Sequence, residues 1–350
     1  MLKPKPLLLA TFWIAFSVTY GQSDLSKIQA QVTTNEQIFA NPPFQECHAS
    51  SLVELSNGNI MAVWFGGTRE KNPDVTIWGS TKTEAGWSEP AMLADGVIDE
   101  NQRYACWNPV LFQTKEGELF LFYKVGLSPR EWWGEYKTSS DDGATWSDAV
   151  KLPQGILGPI RNKPIYLTNG DILSGSSVET NKSWHAHMEL SRDQGRSWSK
   201  IPLDTTTGYK IIQPTLLTLE GGEILTLMRS NQGTVVESRS TDQGKTWSVP
   251  AKSKLPNPNS GIDAVTLSNG LHLLVYNPHP GGGRWVEGRA KLNVAISNNG
   301  TDWIDIHKLE DNEEGEYSYP AVIEAKDGSV HITYTDDRKN VRYVVLELVL

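Results

Sequence analysis

A short motif recurs along the chain at nearly constant spacing, and it limits the possible folds more than any other feature. The pattern is Ser-x-Asp-x-Gly-x-Thr/Ser-Trp, with full copies at 139–146, 191–198 and 240–247. Degenerate copies lie at 80–87 and 297–303, so successive copies begin 59, 52, 49 and 57 residues apart. Asp and Gly favour a hairpin turn, the Asp and Ser side chains bond backbone amides, and the Trp packs under the sheet.

A second repeat is interleaved with the first. Six apolar runs are each interrupted by a glycine turn, at Gly58, Gly117, Gly170, Gly222, Gly270 and Gly328. Alternation of apolar and polar residues around these turns predicts antiparallel hairpins rather than helices. Six units of four short strands predict an all-β chain folded as a six-bladed β-propeller with four-stranded antiparallel blades. A β-helix is the alternative, but its repeats are far shorter.

The N-terminus has the pattern of a signal peptide. Lys3 and Lys5 precede an apolar run over 7–18, which is too short to span a bilayer, and small residues follow at Thr19 and Gly21. We therefore predict a cleaved segment 1–21 and a single propeller domain 22–350, exported to the periplasm or secreted. The alternative is a buried N-terminal helix.

Net charge narrows the choice of partners. The chain carries a formal charge of −9, whereas nucleic-acid binding needs a basic face, so no nucleic-acid partner is predicted. A local arginine cluster still permits an anionic small substrate. No second long apolar run occurs, which predicts no membrane insertion, and we expect a monomer.

Polar residues recur just before the first apolar run of each unit, where the innermost strands of a propeller would line its channel. Prolines at 109, 164, 214 and 320 follow four of these positions and restrict the backbone there. We expect these polar residues on one rim: His48, Asn108, Arg161, Lys163, Gln213, Asp263, Tyr317 and Tyr319.

Cysteine and histidine patterns leave some questions open. Cys47 and Cys106 occupy equivalent positions of neighbouring units, which is compatible with a disulfide or with two free thiols. His185 and His187 have the spacing of metal ligands on a strand, but one pair is a weak signal and surface histidines are the preferred interpretation. We predict no metal and no cofactor.

The Ser-x-Asp-x-Gly-x-Thr/Ser-Trp copies are Asp boxes, and with them the chain resembles the sialidase-like (Asp-box, BNR repeat) propellers of bacterial carbohydrate-active enzymes. Further segments carry the resemblance: CHASS, WFGGTRE, CWNPV, YKVG, PREWWG, LPNPNSGIDAV and GEYSYPAV. Sialidases hold the substrate carboxylate with three arginines, attack with a tyrosine activated by a glutamate, and use an aspartate as acid. The resemblance assigns Arg229 and Arg289 to the second and third arginines, Tyr317 to the tyrosine and Asp74 to the aspartate.

Two members of the sialidase site are missing. His48 stands where the first arginine falls, and Gln213 stands where the activating glutamate falls. A tyrosine is a poor nucleophile without a neighbouring carboxylate, and Gln213 cannot supply one. Arg161, Lys163 or Arg69 would contribute to the carboxylate clamp, and the imidazole suits proton transfer near neutral pH.

These departures favour β-elimination at the non-reducing end of an acidic, uronic-acid-containing oligosaccharide. The arginines would neutralise the carboxylate, His48 or Tyr317 would remove the C5 proton, and the other of the pair or Asp74 would protonate the group leaving C4. Loss of a sugar makes the enzyme a lyase, and loss of water makes it a dehydratase. The resemblance suggests an ulvan-type marine polysaccharide as the source.

Two other functions remain open. A sialidase-like exo-glycoside hydrolase needs a carboxyl pair, for which Asp74 and Asp263 are candidates, with Glu46, Glu179 and Glu316 nearby in sequence. A non-catalytic sugar-binding propeller would use tryptophans outside the Asp boxes, either to stack on sugars or for packing between blades: Trp132, Trp133, Trp184 and Trp285.

Overall fold

The computed structural model describes residues 25–284 and 286–349. The predicted signal peptide 1–21 and Trp285 lie outside the described residues. Within them the chain forms six antiparallel sheets arranged as the blades of a propeller, which confirms the predicted fold. Short 3-10 helices occur at Leu25–Lys27 and Glu220–Gly222.

Each blade is built from strands that are consecutive in the chain, except at the closure of the ring. Blade 1 contains Glu46–Glu54, Ile60–Gly67 and Thr76–Thr83, with Gly86–Trp87 and Ala91–Ala94 both pairing with the third strand. Blade 2 contains Ala105–Gln113, Leu119–Gly126, Trp133–Ser139 and Val150–Lys151. Blade 3 contains Ile165–Tyr166, Ile172–Glu179, Trp184–Ser191 and Ser199–Pro202.

The remaining blades follow the same order. Blade 4 contains Ile211–Thr218, Ile224–Ser230, Thr234–Ser240 and Ala251–Pro256, and blade 5 contains Asp263–Thr266, His272–Tyr276, Lys291–Ser297 and Ile304–Asp311. Blade 6 contains Tyr317–Glu324, Val330–Asp336 and Asn340–Val349. A separate two-strand ribbon joins Val97–Asp99 to Gln102–Arg103.

The ring is closed by the N-terminal strand Gln29–Gln37. It pairs antiparallel with Asn340–Val349 and becomes the outermost strand of blade 6. The last blade is therefore completed by the first strand of the chain, so that the pairing joins both ends of the described chain and leaves blade 6 with no missing strand.

The hydrophobic core is divided among the interfaces between blades. Six clusters of buried apolar side chains each join two neighbouring blades, including the contact between blades 6 and 1. This distribution follows from the sequence, because a four-stranded sheet with apolar residues on both faces must be covered on both sides.

The Asp boxes connect the third and fourth strands of their blades. In blade 3, the Ser191 hydroxyl accepts a hydrogen bond from the Gly195 amide (2.8 Å), and the Asp193 carboxylate accepts one from the Ser197 amide (2.8 Å). The Trp198 indole donates to the Gly195 carbonyl (3.0 Å), and its ring lies 5.9 Å from Phe122 of blade 2. The box thus fixes a turn and fastens its blade to the preceding one.

Cys47 and Cys106 are free, buried thiols. Although they occupy equivalent positions, Cys47 packs in the cluster between blades 6 and 1, and Cys106 packs in the cluster between blades 1 and 2. The two thiols therefore face different interfaces, and the free-thiol alternative is the one observed.

Within the described ranges, no helix is long and apolar enough to cross a membrane.

The packing of Trp198 gives a stability prediction. Trp198→Ala should lower the free energy of unfolding by about 3–5 kcal/mol, because a large side chain that is 8 % exposed is removed from a core cluster. Denaturant unfolding followed by circular dichroism measures the change. Trp184→Ala is the matched control, since Trp184 belongs to none of the six clusters among the described residues. Equal losses in the two variants would contradict the assignment.

Candidate functional site

Two connected cavities open where the first strands of the blades begin. The larger has a volume of about 940 Å³ and the smaller about 240 Å³. Glu70, Lys71, Arg229 and Tyr319 line both, so the cavities form one continuous site. We call the larger the arginine chamber, lined by Arg69, Arg229, Arg284, Arg289 and Arg338 among others, and the smaller the aromatic chamber, lined by Phe65, Trp107, Trp132, Trp184 and Tyr319 among others.

The same backbone irregularity brings side chains to the rim in blades 1, 2, 4 and 6. The register of each first strand shifts around a residue with positive φ: Ala49 (56°), Asn108 (42°), Gln213 (55°) and Tyr319 (53°). Such backbone costs about 1–3 kcal/mol per residue and clusters at functional sites. The prolines of the sequence pattern directly follow three of these bulges: Pro109, Pro214 and Pro320.

Tyr319 lies at the junction of the two chambers. Its phenolic oxygen accepts a hydrogen bond from Nη1 of Arg229. Its ring centroid lies 4.1 Å from that of His48. The fully buried Arg161 donates from Nη2 to the carbonyl oxygens of Tyr319 (2.6 Å) and Pro320 (2.8 Å), and so holds the strained bulge from below.

Of the five arginines that line the arginine chamber, three were predicted from the sequence: Arg69, Arg229 and Arg289. The Nε of Arg229 donates to Oδ1 of Asn259 (2.8 Å), and its Nη1 donates to Oε1 of Gln213 (3.3 Å). Arg289 is 4 % exposed, and its guanidinium donates to Glu316 (2.9 Å) and to the Asn259 carbonyl (2.9 Å). Asn259 thus aligns both guanidinium groups towards the arginine chamber.

Sequence reasoning missed Arg284 and Arg338, of which Arg338 is the one tied to the site by buried partners. It lies in the turn between the last two strands of blade 6 and donates to Glu316 (2.7 Å) and Glu70 (2.5 Å). Burial opposes its charge, but the hydrogen bonds and the negative charge of these carboxylates outweigh that effect and raise the pKa of Arg338. In the sequence, Arg338 stands out only as part of a charged turn, DDRKN, at 336–340. This turn lies beside blade 1 only because the ring of blades closes.

The charge of the arginine chamber is opposite to that of the whole protein. Six cationic side chains line it, against the two carboxylates Glu46 and Glu70. The full chain has a net charge of −9. Such a local concentration of cations attracts anionic ligands despite the acidic surroundings. The six cations are Arg69, Lys71, Arg229, Arg284, Arg289 and Arg338.

His48 lies in the wall of the aromatic chamber and is 3 % exposed. Its Nδ1 lies 2.8 Å from the Thr335 hydroxyl of blade 6, and its Nε2 has no hydrogen-bond partner among the described residues. Burial, reinforced by the positive charges of four arginines, lowers the pKa of His48 well below 6.5. The imidazole is therefore neutral at pH 7 and carries one nitrogen lone pair.

Tyr317 is not where the sequence placed it. Its side chain packs against the cluster between blades 5 and 6, and it lines neither chamber. The reason is the bulge: alternation along the strand puts the side chain of Tyr317 between blades, whereas the left-handed residue Tyr319 turns to the rim. The tyrosine that lines both chambers is Tyr319, which the sequence analysis had assigned only to binding.

Asp74 also lies outside both chambers. Its carboxylate accepts hydrogen bonds from the amide (2.8 Å) and hydroxyl (2.5 Å) of Thr68 and lines a separate surface pocket. The side chain of Asp74 thus closes the loop that begins with Thr68. In that loop, Glu70 is the residue whose carboxylate lines both chambers.

Three other predicted binding residues have internal partners. Nζ of Lys163 donates to Asp263 (2.8 Å), which also accepts from the Thr215 hydroxyl (2.8 Å) and the Val322 amide (2.9 Å). This network ties blades 3, 4, 5 and 6 together in the channel. Lys163, Asp263 and Arg161 line neither chamber, and their hydrogen bonds hold the strands that carry the lining residues. Arg69, Asn108 and Gln213 do line the chambers.

The histidine pair of blade 3 is only partly at the surface. His187 is 2 % exposed and lies 3.0 Å from the buried carboxylate of Glu189, so the surface interpretation is wrong for His187. The carboxylate of Glu189 also accepts hydrogen bonds from the amides of Leu157 and Gly158. The His187–Glu189 pair therefore has a structural role. Within residues 25–284 and 286–349, no group of three or more His, Cys, Asp or Glu residues is arranged to hold a metal.

Comparison with known proteins agrees with this architecture. The BNR repeat-like domain family matches residues 58–332. The chain is 24 % identical over 226 residues to the anhydrosialidase of Macrobdella decora, covering 56 % of this chain and 28 % of that protein. It is 21 % identical over 342 residues to the sialidase of Bacteroides fragilis, covering 85 % of this chain and 61 % of that protein. The chain thus spans less than two thirds of the length of either relative.

A solved structure shares the fold over its whole length. It is a protein of unknown function from Dyadobacter fermentans, with a TM-score of 0.74, 17 % identity, and coverage of 92 % of this chain and 100 % of that one.

The buried neutral imidazole predicts a pH dependence of stability. The unfolded chain binds a proton on His48 below about pH 6.5, whereas the folded chain does not until its lowered pKa is reached. The free energy of unfolding is therefore largest above that pH and falls as pH decreases, by about 1.4 kcal/mol per pH unit for this proton. His48→Gln should flatten the fall in urea titrations at pH 6.5 and below. An identical slope in wild type and variant would contradict the burial argument.

Proposed function

The chain belongs to the BNR repeat-like domain family, and on that premise we propose that it is an exported carbohydrate-active enzyme that acts by β-elimination. Its substrate is the non-reducing end of an acidic, uronic-acid-containing oligosaccharide, such as one released from an ulvan-type polysaccharide. The observation that carries the proposal is the pair His48 and Tyr319, with ring centroids 4.1 Å apart, beside the arginine chamber.

The arginines supply the first requirement of the reaction, which is to neutralise the carboxylate. Arg229, Arg289 and Arg338 line one chamber, and Asn259 and Glu316 align their guanidinium groups. A carboxylate bound there by charge-assisted hydrogen bonds withdraws electrons from C5. The C5–H bond becomes more acidic, and negative charge that develops on the carboxylate during proton removal is stabilised.

His48 and Tyr319 supply the base and the acid. The neutral imidazole accepts the C5 proton on Nε2 when Nδ1–H donates to Thr335. The electron pair of the C5–H bond forms the C4=C5 double bond, and the C4–O bond breaks. The Tyr319 hydroxyl gives its proton to the departing oxygen, and the hydrogen bond from Arg229 stabilises the negative charge left on the phenolic oxygen. A terminal 4-hydroxyl leaves as water, and a 4-linked sugar leaves with its hydroxyl restored.

The adjacency of the two rings has a stereochemical consequence. An acid and a base that lie side by side act on the same face of the C4–C5 bond, which is a syn elimination. In glucuronate the C5 hydrogen and the C4 oxygen are gauche and suit this geometry. In galacturonate they are antiperiplanar and do not. We therefore propose glucuronate as the reacting residue.

Sialidase-type hydrolysis receives less support from this geometry. A nucleophilic tyrosine needs a carboxylate to take its proton. Among the described residues, the hydrogen-bond partner of the Tyr319 hydroxyl is the guanidinium of Arg229, and the amide of Gln213 contacts that same guanidinium. An amide cannot act as the base.

One observation keeps exo-glycoside hydrolysis as a second candidate. Glu70 and Glu179 both line the aromatic chamber. Burial raises the pKa of Glu179, with the negative charge of Glu70 adding to the effect against nearby arginines. Two carboxyl groups that line one chamber are the kind of pair that glycosidases use.

Product analysis separates the two functions. With oligosaccharides that end in glucuronate, we expect a mass loss of 18 Da without cleavage, or cleavage with a new double bond that absorbs ultraviolet light. Deuterium at C5 should slow turnover, because that bond breaks only in elimination, and galacturonate-ended oligosaccharides should not react. Cleavage with gain of water, without an isotope effect at C5, would contradict the elimination proposal and support the hydrolase.

Removal of the hydroxyl group from one tyrosine at a time tests which tyrosine is catalytic. Tyr319→Phe and His48→Ala should each lower kcat by about 10²-fold or more, the usual loss when a positioned acid or base is removed. Tyr317→Phe is the matched control from the same strand and should retain activity within about twofold, because its side chain packs between blades. A dead Tyr317→Phe enzyme beside an active Tyr319→Phe enzyme would reverse the assignment.

A further inference from the structure

The two chambers differ in chemistry as well as in size. Six cations and two carboxylates line the arginine chamber, whereas three cations and two carboxylates line the aromatic chamber. The smaller chamber is therefore close to neutral, and the proposed reaction uses His48, Tyr319 and Arg229 on its wall. Of the other lining aromatic side chains, Phe65 and Trp107 belong to the core cluster between blades 1 and 2, and Trp132 packs against that cluster. Asn108 and Trp184 also line the chamber and have no part in the proposed reaction.

Among these side chains, Trp184 is the one that contributes least to the packing of the fold. It is half-buried, lines the chamber, and belongs to none of the six core clusters within the described ranges. By contrast, the Asp-box tryptophan Trp198 is buried in a cluster. Trp184 pairs with Glu179 at the end of a hairpin, which the Thr180 amide closes with a 2.8 Å bond to the Ser183 carbonyl. The hairpin thus places Trp184 over the chamber, although the packing of the core does not require a tryptophan there.

Two further tryptophans form a fixed wall of the same chamber. The Trp107 indole donates to the Gly126 carbonyl (2.9 Å), which locks its ring. The Trp132 ring lies edge-on to Trp107 at 5.8 Å, and its buried Nε1 has no partner among the described residues. Aromatic rings of this kind pack against the C–H faces of sugars.

Amide groups stand beside these rings. The left-handed bulges turn Asn108 and Gln213 into the chamber, and both are about 5 % exposed or less. An amide offers donors and an acceptor to the hydroxyls of a sugar, without favouring an anion. Aromatic walls with a few fixed polar groups are typical of a small-molecule pocket.

We propose that the aromatic chamber is a subsite for a neutral sugar residue, covalently joined to the acidic residue held in the arginine chamber. Arg229 and Tyr319 line both chambers, so the junction between the two sugars lies next to the reacting groups. The substrate class is then an acidic residue followed by a neutral one, and a lone uronate fills only part of the site. This inference rests on the proposed function for the acidic residue.

Binding measurements test the subsite separately from the reaction. Isothermal titration calorimetry on the Tyr319→Phe background would compare methyl β-glucuronide, a glucuronate dimer, and disaccharides of glucuronate with glucose, galactose or rhamnose. We expect at least one neutral-partner disaccharide to bind about tenfold tighter than methyl β-glucuronide, through stacking on the tryptophans. The glucuronate dimer should gain little.

A variant pair identifies the chamber as the source of that gain. Trp184→Ala should remove most of the tenfold difference, and Trp184→Phe should retain part of it, because a ring still covers the sugar. Trp87→Phe, in the interface between blades 6 and 1, is the control and should keep the full difference. The subsite is overturned if no neutral-partner disaccharide binds tighter than methyl β-glucuronide, if the dimer binds as tightly as the best of them, or if Trp184→Ala keeps the difference. Failure of elimination would appear instead in the products, with these affinities unchanged.

Discussion

The pairing of Gln29–Gln37 with Asn340–Val349 is the constraint on which the site depends. It completes blade 6 and holds that blade against blade 1, where the Ser50 hydroxyl bonds Thr333 (3.0 Å) and the Cys47 amide bonds the Arg338 carbonyl (2.8 Å). Closure therefore sets His48 of blade 1 beside groups of blade 6 that are almost 300 residues away in sequence. A propeller positions such groups precisely because its interfaces are packed sheets rather than loops.

Backbone strain in the first strands is the second feature that positions the site. Four first strands leave regular geometry at equivalent positions, and each of these bulges holds a residue with positive φ. Below the bulge of blade 6, Arg161 donates to two consecutive carbonyls, and the Lys163–Asp263 pair ties the neighbouring blades together. Buried charges with these partners offset the cost of the strained backbone and keep the side chains at the rim preorganised.

Burial also divides the charged groups by function. Glu316 forms ion pairs with both Arg289 and Arg338 in the arginine chamber, where the proposed reaction would place the substrate carboxylate. His48 lies close to the same arginines and has no carboxylate partner among the described residues, so it stays neutral. In the proposed reaction, one cluster of positive charge would thus bind the substrate carboxylate and also keep the imidazole neutral, so that it can accept a proton.

The sequence by itself determined the propeller, because the Asp boxes and glycine turns act within single hairpins and their spacing counts the blades. It also pointed to His48 and Gln213, since each precedes the first apolar run of its unit, and the resemblance to sialidase-like propellers pointed to Arg229 and Arg289. Only the tertiary structure showed that Tyr319, and not Tyr317, lines the chambers, because a bulge reverses the alternation that a regular strand would show. It alone revealed Arg338, which becomes part of the site only when the ring closes, and it alone showed that Asp74, Lys163 and Asp263 are satisfied by neighbours that no sequence pattern names.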